Sequence, residues 1–123
     1  MAEELLKRGG KCLKYTCLLW DFNGTLLADM QAGIDSTNKL LVDRGLKPIR
    51  DIEHYREIFD FPIEEYYRGL GFDFEKEPYS ELAPKWVELY NINSKTSKLT
   101  DGVEETLAKA SKMGICQSVL SAR

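Results

Sequence analysis

The sequence predicts an α/β chain in which two parallel strands deliver polar groups to one sheet edge. Three observations lead there. An apolar run, Tyr15 to Trp20, stops at Asp21 and turns at once through Asn23-Gly24-Thr25. A second run, Ile115 to Leu120, stops at Ser121 behind a segment of helical periodicity. The residues between read as helices, and strands linked through helices favour parallel pairing.

In chain order, residues 1–13 are polar with Gly9-Gly10 and read as a frayed or short helical lead-in. The continuous apolar character of 15–20, with β-branched and aromatic members, fits a strand buried on both faces. Four helical stripes follow: Met30, Ile34, Thr37 and Leu41, closed by Gly45; Ile52, Tyr55, Ile58 and Phe59, ended by Pro62; Ile63, Tyr66, Tyr67 and Leu70, ended by Gly71; and Leu82, Trp86, Leu89 and Tyr90, with Pro84 blurring the start. Their aromatic residues are expected to pack an interior rather than to stack on a substrate. Val103, Thr106, Leu107, Ala110 and Met113 mark a last helix, which Asp101 and Glu104 open as a capping box and Gly114 closes at C′.

Bulk properties narrow the class. The chain has 123 residues, 43% hydrophobic and 30% charged, which fits one globular domain or a small core with an insertion. A net charge of −3 without a basic run gives a nucleic-acid or anionic-membrane partner no electrostatic support. No apolar stretch reaches the length of a membrane span, and the first residues lack the apolar segment of a signal peptide, so cytoplasm is the default compartment. Three cysteines, Cys12, Cys17 and Cys116, include no Cys-x-x-Cys pair, and His54 is the only histidine. A disulfide framework and a zinc site are therefore disfavoured. Cys17 and Cys116 are expected to pack as small hydrophobes and His54 to be solvated.

A strand that stops at an aspartate places the carboxylate at the C-terminal edge of the sheet, where open α/β sheets bind ligands. Gly24 permits the tight turn beyond it and lets amides approach an anion. An aspartate there can bind a hard cation or attack phosphorus as a nucleophile. An EF-hand is excluded because Gly24 sits at position four rather than six. Asn23-Gly24-Thr25 fits a glycosylation sequon, but no secretory signal precedes it.

The residues Asp21-Phe22-Asn23-Gly24-Thr25-Leu26, behind their apolar strand, resemble the first motif of the haloacid-dehalogenase-like superfamily, in its phosphoglycolate-phosphatase-like branch with a helical cap. Ser121 resembles the second motif by position and type, with Asp101-Gly102-Val103 upstream. Ser118 is a rival, but inside its strand it would point into packing. The resemblance implies a partial doubly wound parallel sheet from 1–27 and 99–123, with an α-helical cap over 28–98. It further implies Asp21 as the nucleophile of an aspartyl-phosphate phosphatase, Ser121 as the hydroxyl that holds a phosphate oxygen, and Gly24 and Thr25 as binding residues. A Mg2+ ion on Asp21 and the Asn23 backbone carbonyl, and a small phosphorylated substrate, follow from the same resemblance.

Asn23 departs from the pattern. It stands where phosphatases of this superfamily carry a second aspartate as general acid/base, and an amide does not shuttle a proton at neutral pH. The lysine and acidic residues of the superfamily's third and fourth motifs are also missing. Two strands are few beside the usual five or six of a sheet, so exposed core faces open to self-association are expected, with negligible phosphatase activity by this chain alone. Two alternatives remain: a non-catalytic relative that binds a partner protein, and a catalyst of altered chemistry of the dehalogenase or phosphonate kind.

Overall fold

The computed structural model describes residues 16–121. The lead-in over 1–13, with Cys12, and the strand start at Tyr15 lie outside the described residues. The chain divides into two units: residues up to Ala28 with those from Lys98 onward, and Asp29–Ser97.

The first unit is α/β. Strand β1 (Cys17–Asp21) pairs in parallel with the last strand, β4 (Cys116–Leu120). The register runs from Cys17 opposite Cys116 to Asp21 opposite Leu120. The parallel pairing and α/β class expected from the sequence are therefore present, with Asp21 inside the strand as its last residue. Two short strands that the sequence did not announce, β2 (Leu27–Ala28) and β3 (Lys98–Leu99), form an antiparallel pair.

The one helix among the described residues of this unit follows β3 as α5 (Val103–Lys112). Ala110 on it is fully buried. Beneath it, Trp20 Nε1 donates to Gln117 Oε1 at 3.0 Å, and Gln117 Nε2 donates to the Leu107 carbonyl at 3.0 Å, so one glutamine joins both strands to the helix. The opposite sheet face is open: Leu19 is 66% and Leu120 63% exposed. Burial on both faces, and the packing of Cys17, Cys116 and Ser118 that it would bring, are thus corrected; all three are exposed. The described residues supply only one layer of helix to this two-stranded sheet.

The predicted capping box is also corrected. The cap of α5 is Gly102, at φ +83°, and Asp101 makes no capping bond to the helix. The helix end agrees with expectation. Gly114 sits at C′ with φ +70°, its N–H donates to the Ser111 carbonyl, and Ile115 N–H donates to the Ala110 carbonyl. That is the paired bonding of a Schellman motif.

The second unit is helical, with α1 (Met30–Asp43), α2 (Ile52–Ile58), α3 (Ile63–Gly69) and α4 (Tyr79–Asn93), the last continuing through Pro84. Gly45 and Gly71 close α1 and α3 in the same way that Gly114 closes α5. Ile34, Leu40, Leu41, Ile49, Tyr66, Tyr67, Phe72 and Leu82 make the core. The aromatic rings pack on one another as interior, with Phe59 to Tyr66 at 5.1 Å and Tyr66 to Tyr67 at 5.3 Å. Burial pushes the Tyr66 hydroxyl above its ordinary pKa.

Polar contacts fix the loops between these helices. Asn38 holds both backbone groups of Ile49, accepting from its N–H at 2.7 Å and donating to its carbonyl at 2.9 Å. Buried Ser36 and Thr37 receive Asn93 and Trp86 from α4, each at 3.0 Å. Arg44 reaches both oxygens of Glu77 at 2.8 Å, and Lys85 donates to the same carboxylate at 2.7 Å. Among the described residues no helix is long and apolar enough to cross a membrane.

The Lys85 ammonium, with Arg44 beside it, holds the Glu77 carboxyl below its ordinary value of 4.5, against the opposing push of burial. A group depressed in the folded state contributes stability that is complete above its unfolded pKa and is lost as pH falls through the folded value. Urea midpoints measured from about pH 7 down to about pH 3 should therefore show wild type losing an acid-sensitive increment that Glu77→Gln lacks. Parallel acid profiles for the two proteins would contradict this account of the Arg44–Glu77–Lys85 cluster.

Candidate active site

The site is assembled at the C-terminal edge of the β1–β4 pair. Strand β1 carries Asp21 to the end of its ladder, and Ser121 follows directly on Leu120, the register partner of Asp21. Parallel pairing puts both groups at one edge; antiparallel pairing would have put them at opposite ends.

The turn after Asp21 is held by its own backbone. The Phe22 carbonyl accepts from the amides of Thr25, Leu26 and Leu27 at 3.0 to 3.2 Å, and Gly24 N–H donates to the Leu27 carbonyl at 3.0 Å. Asn23 and Leu27 form an isolated bridge across this turn. Gly24 adopts φ +72°, a left-handed conformation that disfavours a side chain. These amides close the turn, so the chain's own carbonyls occupy donors that a bound anion would otherwise use.

The turn returns two groups to the aspartate. Phe22 N–H donates to Asp21 Oδ1 at 2.9 Å, and the Thr25 hydroxyl donates to Oδ2 at 3.2 Å. Each oxygen is oriented by one donor, while a carboxylate offers about four acceptor positions in total. The side chain is exposed, open to a substrate or cation. On the neighbouring strand the Ser121 hydroxyl donates to Asn23 Oδ1 at 3.2 Å, tying the two strand ends together.

The structure therefore gathers Asp21, Asn23, Gly24, Thr25 and Ser121 at one place. Ser118, the rival serine, is three residues back along β4. Thr100 joins the set without notice from the sequence: its hydroxyl donates to the Thr25 carbonyl at 2.7 Å and its N–H to the Leu26 carbonyl at 2.8 Å. It is separated from the turn by 75 residues, and an isolated threonine after a polar stretch carries no local signal for such a contact. Cavities of about 380 and about 590 Å3 lie in the helical unit and include none of these site residues.

The donors that face the edge are hard oxygens: the Asp21 carboxylate, the Asn23 amide oxygen and the hydroxyls of Thr25 and Ser121. Such a set suits a small divalent cation that keeps several waters and takes one or two carboxylates. It does not suit zinc or copper, which favour nitrogen and sulfur. Among the described residues no group of three or more His, Cys, Asp or Glu side chains is placed to enclose a metal.

The sequence profile of the haloacid dehalogenase-like hydrolases matches residues 18–123. A candidate phosphatase from Clostridium difficile, solved at 1.7 Å, aligns with a TM-score of 0.64 at 24% identity, over 89% of this chain and 50% of that one. CbbY from Rhodobacter sphaeroides, solved in complex with phosphate, aligns with a TM-score of 0.48 at 19% identity, over 87% of this chain and 51% of that one. No curated protein matches the chain. The chain spans about half the length of these solved structures. The profile covers the motif, β1 from its second residue, β4 and everything between them, and the chain belongs to the haloacid dehalogenase-like hydrolase family.

Proposed function

We propose that the chain carries the nucleophile half of a phosphatase of this family, directed at a small phosphorylated metabolite. The observation that carries the reading is the Asp21 carboxylate at the parallel-sheet edge, oriented by Phe22 N–H and the Thr25 hydroxyl and neighboured by Ser121. The neighbour from Clostridium difficile, described as a candidate phosphatase, is in keeping with it.

In this reading an Asp21 oxygen attacks phosphorus in line with the ester oxygen, which departs and takes up a proton. Water then attacks the phosphorus of the acyl phosphate, restoring the carboxylate and releasing phosphate. The Ser121 hydroxyl turns from Asn23 Oδ1 to a phosphoryl oxygen, and Thr25 keeps the carboxylate oriented. Mg2+, when bound, would sit on the Asp21 carboxylate and the Asn23 main-chain carbonyl and offset charge on the transferring group. The helical unit, residues 29–97, would serve as the cap, and choice of metabolite would lie with it.

Most of the catalysis in phosphoryl transfer comes from positioning and charge neutralisation. One carboxylate and two hydroxyls supply little of the second, so turnover by the 123-residue chain alone should be slight. Formation of a phosphoryl mimic tests the nucleophile without requiring turnover. With Mg2+ present, beryllofluoride should bond to the Asp21 carboxylate, giving a bound fluorine NMR signal that Asp21→Asn abolishes. The same signal in Asp21→Asn, or none in wild type, would refute the assignment.

The second test concerns Asn23. A general acid/base commonly contributes about 10²–10⁴-fold. Asn23→Asp is nearly isosteric and keeps an oxygen for the Ser121 hydroxyl, so the edge should hold its geometry. Slow in the wild-type chain, hydrolysis of an alkyl phosphate monoester should rise mainly in kcat, because an alkoxide leaving group needs its proton in the transition state. Unchanged or reduced kcat with the fold intact would show that this position does not carry the proton.

A further inference from the structure

The β1–β4 register has a consequence at the end of the strands opposite the site. Cys17 lies directly across from Cys116 on adjacent parallel strands, so their side chains leave the sheet on one face. Neighbouring strands lie about 4.7–4.9 Å apart, and a disulfide bridges Cα separations of about 4.4–6.8 Å. Both thiols are free and exposed. The Cys116 thiol beside it is the chief cause that raises the Cys17 thiol above its ordinary pKa. Helix α5 lies over the other face, where Gln117 bonds to it, and the face that bears the two thiols is open to small reagents.

The geometry points to a dithiol–disulfide site in which Cys17 and Cys116 close a reversible cross-strand bond, with a small disulfide of the glutathione class as oxidant. One cysteine thiolate attacks a sulfur of the oxidant, forming a mixed disulfide and releasing one small thiolate. The second cysteine thiolate then attacks the protein sulfur of that mixed disulfide. The Cys17–Cys116 bond forms, and the second small thiolate leaves. Two protein thiols are oxidised, one small disulfide is reduced to two thiols, and the two cysteine protons end on those thiols. An exposed bond of this kind is readily reversed by the same class of thiol. Asp21 is four residues further along β1, about 13 Å at ~3.3 Å per residue, so the bond staples the strands without covering the acidic edge.

The test uses the 123-residue chain in a buffer of oxidised and reduced glutathione near pH 8.5, where about half of an ordinary thiol is ionised. Free thiols are alkylated and the digest mapped by mass. The dominant product should be a Cys17–Cys116 peptide pair at monomer mass, reverting on addition of excess reduced glutathione. In Cys116→Ser the reaction should stop one step earlier, and the glutathione adduct on Cys17 should rise several-fold. Cys12→Ser should leave the pair intact. In denaturing urea the preference for this pair over those that include Cys12 should disappear. Independent mixed disulfides on both thiols, interchain dimers, a pair that includes Cys12, the same pairing in urea, or no reaction would each overturn the proposal. Mapping of the wild-type chain decides the matter even if a serine variant fails to fold.

Discussion

The parallel register of β1 and β4 is the constraint on which the α/β unit depends. It places Asp21 beside Leu120, so Ser121 emerges next to the turn that follows the aspartate. It brings Trp20 against Gln117, whose amide continues into α5 and keeps that helix on one face. It also leaves Cys17 and Cys116 opposite one another on the other face. A slip of one residue would turn every side chain of β1 to the other face. Trp20 would lose its glutamine, and the site would lose its alignment with Ser121.

Much of this edge was legible in the sequence because it is encoded locally. An apolar run that ends in Asp21 and a Gly24 turn within three residues are adjacent features, and neither needs a distant partner to be recognised. The helix ends at Gly45, Gly71 and Gly114 were legible for the same reason: each glycine adopts a left-handed conformation that other residues resist. Thr100 was not legible, because its bonds to Thr25 and Leu26 join residues far apart in the chain. The capping box failed where two local signals competed, since Asp101 fits the pattern but Gly102 takes the cap conformation. The burial of Cys17, Cys116 and Ser118 failed for another reason. An apolar strand reports what it could bury, and only neighbouring elements decide what is buried.

The helical unit shows how short helices are held at defined angles. Helices α2 and α3 have seven residues each, too few to be stable alone in water. They are held by the ring contacts of Tyr55, Phe59, Tyr66 and Tyr67. The long helices α1 and α4 are aligned by buried polar pairs, Ser36 with Asn93 and Thr37 with Trp86. Apolar packing tolerates sliding, whereas a buried hydrogen bond left unmade costs about 1–3 kcal/mol. Those pairs therefore set the alignment of two helices that apolar contact alone would leave free to shift.

The shared edge of Asp21 and Ser121 depends on the alignment of β1 with β4, which NMR reads directly. In an isotope-labelled chain, backbone proton contacts across the pair should step in the same direction along both strands, linking 17 with 116, 19 with 118 and 21 with 120. Contacts that join 17 to the region of 120, a register displaced by one residue, or no cross-strand contacts in the folded protein would contradict the shared edge of Asp21 and Ser121.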